Sequence, residues 1–337
     1  MVPLNELLRL SAHVEPMLEK YLLKDTDPEF REPVLYQIKA GGKRLRPALT
    51  LVASIATGGS IEDALPAAAS VELAHNYSLI LDDIIDHSEL RRGRPTLWKR
   101  YGLATAILVA VHYRESIAQA IEETKKPEEF SEIMARTLKL LVEGERLDVL
   151  FEQAGRQDEP YVVEKRRRVV TLNDYLDMVY KKTGALIETS CIFGGLSAEA
   201  EPSWIKALEE YGRNIGIAFQ VGDDIIDIFG REEATGKKVG KDIEEHKLGN
   251  IVILLTADEL ASREWRELAE ILAKDVVPPR DLERALQIIS STRSRERAEE
   301  LRKRYANAAI SALQRLPANE GTSMLKSLAE FVATREF

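Results

Sequence analysis

Hydrophobic residues recur three and four positions apart along most of the chain, which is the spacing of an amphipathic α-helix. The segments with this spacing are long, and Gly, Pro and clustered charges interrupt them. Alternating β-branched runs are scarce, since basic residues break the nearest one, Val162–Val170. We therefore predict an all-α protein with a single domain over residues 1–337. Long helices are predicted over 66–86, 131–151, 172–192, 203–229 and 281–315.

Composition narrows the class of function. Hydrophobic residues make up 45% of the chain and charged residues 31%, as in a soluble globular protein with a sizeable core. The net charge of −9 argues against a general nucleic-acid binder. The single cysteine, Cys191, excludes an intrachain disulfide and is interpreted as a small core residue. No signal peptide is visible and no apolar stretch approaches the roughly 20 residues of a transmembrane segment, so we expect a cytoplasmic location.

Two passages that read D-D-I-I-D, 82–86 and 223–227, end long apolar segments. On a helix Asp82 and Asp86 are one turn apart, so their carboxylates point into the same space with Asp83 on the flank. Like charges at this spacing repel unless a cation lies between them, and Mg²⁺ suits such pairs because phosphate oxygens and water complete its shell. One such motif alone is equally well a solvated helix end. Two near-identical copies embedded in Ile and Leu favour two facing helices that share a metal cluster.

Basic residues that could bind an anion lie near both motifs. The passage 40–47 reads A-G-G-K-R-L-R-P and places three cations just before a predicted helix, whose N-terminus favours an anion. It is not the nucleotide-binding phosphate loop. Further basic groups lie at 91–95, 181–184 and 237–247. Each of them alone is more simply a solvated surface group, but together with the carboxylates they predict a diphosphate site.

These passages resemble the trans-isoprenyl diphosphate synthases (polyprenyl synthetases). The resemblance runs from Leu35 to Leu255 and is carried by GGKRLRP, H-x-x-S-L-I-L-DDIID followed by RRGRPT, KKTG, and FQVGDDIID followed by K…D…K. It implies an isoprenoid-synthase-type helical bundle around a central cavity, usually as a homodimer. It also implies head-to-tail condensation of an allylic diphosphate with isopentenyl diphosphate, in which Mg²⁺ and the cations stabilise the departing pyrophosphate.

The same resemblance assigns roles to residues. It implies three Mg²⁺ ions held by Asp82, Asp86, Asp223 and Asp227, with Asp83 and Asp224 in support. The expected catalytic residues are Asp82, Asp83, Asp86, Arg91, Lys182, Asp223 and Asp224. The allylic diphosphate is expected at Arg91, Lys182, Thr183, Gln220, Lys238 and Lys247. Isopentenyl diphosphate is expected at Lys43, Arg46, His75 and Arg92. Lys237 is the alternative to Lys238 as a ligand of the allylic diphosphate, because the loop is one residue longer than the common spacing.

Product length is expected to depend on the residues just before the first motif. Tyr77 lies five positions before Asp82, with the small Ser78 beside it. One aromatic residue at that place, with no insertion in the motif, resembles archaeal-type geranylgeranyl diphosphate synthases. We therefore expect a C20 product, with the farnesyl (C15) and geranylfarnesyl (C25) products as alternatives. Simple core packing of Tyr77 is the competing interpretation.

The chain also departs from the pattern of many family members. They carry Gly-Asp where this chain has Ala110-Val111, and a glutamine where it has Glu145. His246 replaces the glycine before Lys247. These departures leave the predicted metal ligands intact, but they leave the role of Lys247 open. The segment 256–337 carries no motif beyond the pattern of amphipathic helices.

Two other kinds of function remain as alternatives. A class I terpene cyclase shares metal-assisted ionisation, but it would usually lack the second D-D-I-I-D and needs no GGKRLRP loop. A non-catalytic subunit of a heteromeric synthase acts by helix packing alone. Such a subunit could lose aspartates and phosphate-binding cations, whereas this chain retains both sets.

Overall fold

The computed structural model describes residues 9–230 and 239–334, without the side chain of Ser262. Almost all regular structure in these residues is helical, which confirms the predicted all-α class. The first helices in chain order are α1 (Glu15–Leu23), α2 (Arg31–Lys39), α3 (Leu45–Ala56), α4 (Ile61–Ile85), α5 (Leu97–Tyr101), α6 (Leu103–Glu122), α7 (Pro127–Phe151), α8 (Pro160–Lys165) and α9 (Leu172–Val179). They are followed by α10 (Ala185–Ser197), α11 (Pro202–Phe229), α12 (Lys241–Glu244), α13 (Ile251–Glu259), α14 (Ser262–Leu272), α15 (Pro279–Ser290), α16 (Ser294–Ala312) and α17 (Glu320–Thr334).

The helices predicted over 66–86, 131–151 and 203–229 correspond to α4, α7 and α11. The segment 172–192 is also helical, but one turn of π-helix at Tyr180–Gly184 separates α9 from α10. Shorter 3₁₀ segments are present at Ser11–Val14, Pro28–Phe30 and Leu313–Arg315. No helix among the described residues combines the length and the apolar character that crossing a membrane requires.

The prediction of one helix over 281–315 is wrong, because α15 ends at Ser290 and α16 begins at Ser294. Side chains bond the backbone in between. The carboxylate of Glu259 accepts the N–H of Arg293 at 2.9 Å, and Thr292 Oγ1 accepts the N–H of Ser294 at 3.3 Å. These bonds satisfy N–H groups that a continuous helix would bond internally.

A two-stranded hairpin follows α4. Strand β1 (Leu90–Arg91) pairs with β2 (Arg94–Pro95) in antiparallel register, with Arg91 opposite Arg94. The two turn residues, Arg92 and Gly93, have φ angles of 54° and 74°. Left-handed geometry at both central positions is typical of the tight type I′ turn. The hairpin therefore presents the basic group 91–95 on a short, defined scaffold.

The residues group into two compact units. The first comprises Met1–Leu141, Ala185–Gly212 and Ile310–Leu328. In its core α4 packs against α3, α6 and α10. The approach of α10 to α3 requires a glycine, because a Cβ on Gly194 would lie 2.3 Å from the carbonyl oxygen of Thr50. The whole of α10 is buried, including Cys191, which is a core residue as interpreted.

The second unit comprises Val142–Gly184, Arg213–Ala309 and Ala329–Phe337. Its apolar core is built around α13, whose residues from Ile251 to Thr256 are buried. Asn250 caps α13 by accepting the backbone N–H of Val252 at 2.8 Å. This cap holds the start of α13 against Asp224, whose carboxylate accepts the N–H of Ile251 at 3.0 Å.

Candidate active site

The first aspartate motif lies at the carboxyl end of α4, in the first unit. The backbone N–H of Asp86 bonds the carbonyl oxygen of Asp82 at 2.8 Å, so the two residues are one helical turn apart, and both are half-buried. Asp83 is buried instead, where its Oδ1 lies 2.8 Å from Nη2 of Arg91. Asp83 therefore orients Arg91, whereas Asp82 and Asp86 remain on the side predicted for a metal ion.

The passage G-G-K-R-L-R-P forms the loop between α2 and α3. Gly41, Gly42 and Arg44 have positive φ angles of 82°, 142° and 47°. The Arg44 side chain is buried and its Nη1 donates to Oε1 of Glu72 at 2.8 Å. Lys43, one position earlier, is exposed. Arg44 thus anchors the loop and leaves Lys43 at the surface, where an anion can reach it.

Arg46, His75 and Arg92, three of the residues predicted to bind isopentenyl diphosphate, lie together. Arg46 Nη1 is 3.2 Å from His75 Nε2. An arginine can only donate, so Nε2 accepts and the ring is neutral. Burial, followed by the charges of Arg46 and Arg92, holds the pKa of His75 well below 6.5. The guanidinium of Arg92 covers Gly42, where a Cβ would lie 2.8 Å from Nη1. Cations gathered in this way form an electropositive site suited to a phosphate group.

The two residues predicted to influence product length are on α4. Tyr77 is half-buried and packs against the apolar core of the first unit. Ser78 donates its hydroxyl to the carbonyl oxygen of His75 at 2.9 Å. Both residues lie within the last three turns of α4 before Asp82. Their influence on chain length stays a prediction.

The second aspartate motif ends α11, in the second unit. Asp223 and Asp227 are half-buried and one turn apart, like Asp82 and Asp86. Asp224 is buried, and it accepts hydrogen bonds from Tyr175 Oη at 2.8 Å and Gln220 Nε2 at 2.9 Å. Burial, followed by the charge of Asp242, raises the pKa of Asp224 well above its usual range. Asp224 therefore fixes the end of α11, and like Asp83 it is the buried member of its motif.

The predicted allylic-diphosphate lysines of the second unit are held by carboxylates. Lys182 Nζ lies 2.7 Å from Glu145 Oε2 and 2.6 Å from Asp148 Oδ2. Lys247 Nζ lies 3.2 Å from the same oxygen of Asp148 and 3.0 Å from Glu245 Oε2. Lys182, Lys247 and Asp148 therefore form one charged network. Burial would raise the pKa of Asp148, but the charges of the two lysines outweigh this effect and hold that pKa below its usual range.

Lys182 and Thr183 are part of the π-helical turn, where α7 comes unusually close. A Cβ on Gly144 would lie 2.2 Å from the backbone nitrogen of Lys182, so no larger residue fits there. Thr183 Oγ1 donates to Gln220 Oε1 at 2.9 Å. The close approach places Glu145 and Asp148 directly beside the lysine.

Described residues of the second unit line two cavities of different size. The smaller, of about 100 Å³, contains most of the predicted allylic-diphosphate residues. Its polar lining residues are Asp148, Lys182, Thr183, Gln220, Asp224, Asp242 and Lys247. The larger, of about 610 Å³, has Ile225, Ile226 and Phe229 in its wall, and no predicted site residue lines it. The volume of a cavity therefore does not indicate the site.

Two predicted ligands of the allylic diphosphate, Lys238 and the alternative Lys237, lie outside the described residues.

A model of the polyprenyl synthetase family matches residues 27–289 of the chain. The chain belongs to the polyprenyl synthetase family. It is 34% identical over 325 residues to a geranylgeranyl diphosphate synthase of Saccharolobus solfataricus, covering 94% of this chain and 93% of the relative. A short chain isoprenyl diphosphate synthase of Methanocaldococcus jannaschii is 37% identical over 281 residues, 82% of this chain and 80% of the relative.

Solved structures share the fold of this polyprenyl synthetase. The geranylgeranyl pyrophosphate synthetase of Pyrococcus horikoshii aligns with a TM-score of 0.87 and 30% identity, over 98% of this chain and 99% of that one. The predicted resemblance to trans-isoprenyl diphosphate synthases of the archaeal type, the isoprenoid-synthase-type helical fold and the prenyltransferase class are thereby confirmed.

The carboxylates of this family member fit a divalent metal ion. Burial, followed by the charge of Asp242, raises the pKa of Asp227 to about 8, so ionised carboxylates repel one another here until a cation joins them. Among the described residues no group of three or more His, Cys, Asp or Glu side chains is arranged to hold a metal alone. Pairs of carboxylates such as those of the two aspartate motifs suit a divalent cation that takes its remaining ligands from phosphate and water.

Several residues at the site were not singled out from the sequence. Arg44 and Glu72 anchor the glycine loop, and Asp148 joins the two lysines. Asp148 and Glu145 lie three positions apart on α7, so one face of that helix carries both carboxylates. This spacing of two carboxylates was the sequence feature that could have indicated a contact with lysines, but similar pairs occur on many solvated helices.

The three departures from the common family pattern lie in different surroundings. Glu145 contacts Lys182 directly, as described above. His246 has a φ angle of 62°, and its carbonyl oxygen accepts the N–H of Gln153 at 2.9 Å. On α6, Ala110 is buried and Val111 is exposed. Of the three, only Glu145 pairs with a predicted diphosphate ligand in the described part of the chain.

Proposed function

We propose that the chain condenses isopentenyl diphosphate head-to-tail with an allylic diphosphate, releasing pyrophosphate and giving all-trans geranylgeranyl diphosphate (C20). The primer is dimethylallyl, geranyl or farnesyl diphosphate. The observation that carries the proposal is the gathering of Arg46, His75 and Arg92 into one electropositive group. A second diphosphate needs such a group, and a cyclase that ionises a single diphosphate does not.

The C20 product is supported by relatives. Geranylgeranyl diphosphate synthases of Saccharolobus solfataricus and Methanosarcina mazei are 34% and 31% identical to this chain. A geranylfarnesyl diphosphate synthase of Aeropyrum pernix is 35% identical to this chain, and this relative supports C25 as an alternative product. The C15 product is the second alternative. We assign chain length to the half-buried Tyr77, with Ser78 beside it.

The metal is proposed to be Mg²⁺, with three ions per active site held by Asp82, Asp86, Asp223 and Asp227. When bound, Mg²⁺ would stabilise the negative charge that develops on the pyrophosphate leaving group. Asp83 and Asp224 support the ligands, since Asp83 orients Arg91 and Asp224 fixes the end of α11.

The chain's own residues bind and orient the two diphosphates. Arg91, Lys182 and Lys247 neutralise the allylic diphosphate, so that its C–O bond ionises, and Thr183, Gln220 and Lys238 complete this group. Lys43, Arg46, His75 and Arg92 hold isopentenyl diphosphate, whose double bond attacks the allylic cation. The proton is lost to the released pyrophosphate, so the reaction needs no protein base. Exclusion of water matters because water would quench the cation.

We propose a homodimer through α6. Leu103, Ile107 and Val111 recur every fourth position, and they are exposed by 52%, 46% and 54%. Leu108 beside them is 61% exposed. A stripe of large apolar side chains on a helix is typical of a protein–protein interface. We further propose that residues 1–337 act as a single polyprenyl synthetase domain in the cytoplasm, without nucleic acid.

The test is incubation of the purified chain with isopentenyl diphosphate, an allylic primer and Mg²⁺, followed by chromatography of the products. An elongated prenyl diphosphate of C20 is the expected result. A hydrocarbon product would indicate a cyclase. No product from the chain alone, with activity after a second chain is added, would indicate a subunit of a heteromeric synthase.

A further inference from the structure

Glu145 occupies an unusual electrostatic position beside Lys182. Both of its carboxylate oxygens are buried, and its side chain is only 13% exposed. Lys182 Nζ, 2.7 Å away, is the one cation that pairs with it among the described residues. A buried carboxylate with one counter-charge depends on that charge entirely, because water does not replace it.

The neighbouring carboxylates are in a different situation. Asp148 contacts both Lys182 and Lys247, so it keeps a partner when one lysine is drawn away. Glu245 contacts Lys241 at 2.7 Å as well as Lys247. Glu145 alone would lose its only cation if Lys182 turned to another anion. Removing one partner of a buried pair costs more than the pair contributes.

We propose that Glu145 competes with the diphosphate group for Lys182 and thereby weakens the retention of pyrophosphate. The inference rests on the proposed function, in which Lys182 binds the allylic diphosphate and the pyrophosphate that leaves. A phosphate oxygen can gain the full attraction of Lys182 only by leaving Glu145 buried beside a second negative charge. Glu145 is thus a positioning residue that lowers affinity for the leaving group and favours its release.

The way in which the lysines are shared within the network supports this role. Two lysines, Lys182 and Lys247, face three carboxylates, Glu145, Asp148 and Glu245. Glu245 is also neutralised by Lys241, and Asp148 is shared by both lysines, so Glu145 is the carboxylate that draws on Lys182 alone. A neutral side chain at position 145 would leave Lys182 with Asp148 as its remaining carboxylate partner in this network.

The experiment is titration of inorganic pyrophosphate into the full-length protein by calorimetry, with and without Mg²⁺. Glu145→Gln is expected to lower the Kd about tenfold, which corresponds to about 1.4 kcal/mol. Glu145→Asp retains the charge and should stay close to the unaltered protein. Glu143→Gln is the matched control, since Glu143 is exposed on the same helix and pairs with Arg146 at the surface.

Steady-state kinetics provide a second readout. Glu145→Gln should lower KM for the allylic diphosphate and strengthen inhibition by pyrophosphate, without raising kcat. An unchanged or higher Kd in Glu145→Gln would overturn the inference, because Glu145 would then not oppose diphosphate binding. If the unaltered protein elongates no primer but Glu145→Gln still binds pyrophosphate more tightly, the proposed function fails and the competition at Lys182 stands.

Discussion

Arg44 and Glu72 form a buried ion pair between the glycine loop and α4. Arg44 Nη1 lies 2.8 Å from Glu72 Oε1, and the two side chains are 5% and 2% exposed. Arg44 also donates Nε to Glu15 at 2.7 Å and Nη2 to the carbonyl oxygen of Ile38 at 2.8 Å. These bonds hold Arg44 at a positive φ that arginine seldom adopts. The loop that carries Lys43 therefore has a fixed path over α4.

Replacing Arg44 by alanine is expected to destabilise the protein by about 3–5 kcal/mol, because Glu72 is left buried without its charge partner. The free energy of unfolding in urea measures the effect. Glu267→Gln is the control, since its pair with Arg284 is exposed and worth at most about 1 kcal/mol. Equal stability of the two variants would show that the buried pair does not hold the loop.

Lys182 and Lys181 are neighbours with different surroundings, which makes them a matched pair for kinetics. Lys182 faces Asp148 in the small cavity, whereas Lys181 pairs with Asp177, a half-exposed carboxylate outside it, at 2.6 Å. Lys182→Gln is expected to lower kcat/KM at least about 100-fold, the effect of losing one charge-stabilising donor. Lys181→Gln should change it less than twofold, or about 0.4 kcal/mol. Similar losses in both variants would contradict the assignment of Lys182.

Helical spacing was enough to predict α4, α7 and α11 and to bring Asp82 and Asp86 to one side of a helix. It was not enough to tell which aspartates of each motif turn inward. Asp83 and Asp224 are buried because Arg91 and Tyr175 meet them there, and these partners come from other elements.

The carboxylates around Lys182 were harder to foresee for a related reason. Asp148 is 34 residues away along the chain, and it reaches the lysine only because Gly144 lets α7 approach the π-helical turn. A glycine in the middle of a predicted helix usually lowers confidence in the helix. Here it marks a close backbone contact, which the sequence pattern does not distinguish from a weak helix position.

Tyr77→Ser is expected to lengthen the product beyond C20. The proposed reason is that an aromatic ring upstream of Asp82 limits the space for the growing chain. Chromatography of the prenyl chains after dephosphorylation measures the shift. Tyr161→Ser is the control, since Tyr161 is 53% exposed on α8 and should leave the product unchanged. An unchanged distribution in Tyr77→Ser would mean that Tyr77 only packs the core.

Ile107→Glu should convert a homodimer into monomers. Ile107 lies in the exposed apolar stripe of α6, and a charge at the centre of an apolar interface is costly to bury. Sedimentation equilibrium measures the mass. Glu132→Gln changes an exposed residue of α7, outside the apolar stripe, and should not alter the mass. A monomeric unaltered protein would refute the proposed α6 interface directly.

The stability of the protein should depend on pH through His75. Burial and the nearby arginines hold the pKa of its ring well below 6.5, so the folded state binds a proton less readily than the unfolded state. The contribution of neutral His75 is therefore complete above the unfolded pKa of about 6.5 and declines as the pH falls below it. Unfolding free energies measured from pH 5 to pH 8 should show a steeper loss for the unaltered protein than for His75→Gln. Parallel curves for the two proteins would show that the ring can be protonated in the folded state at no cost.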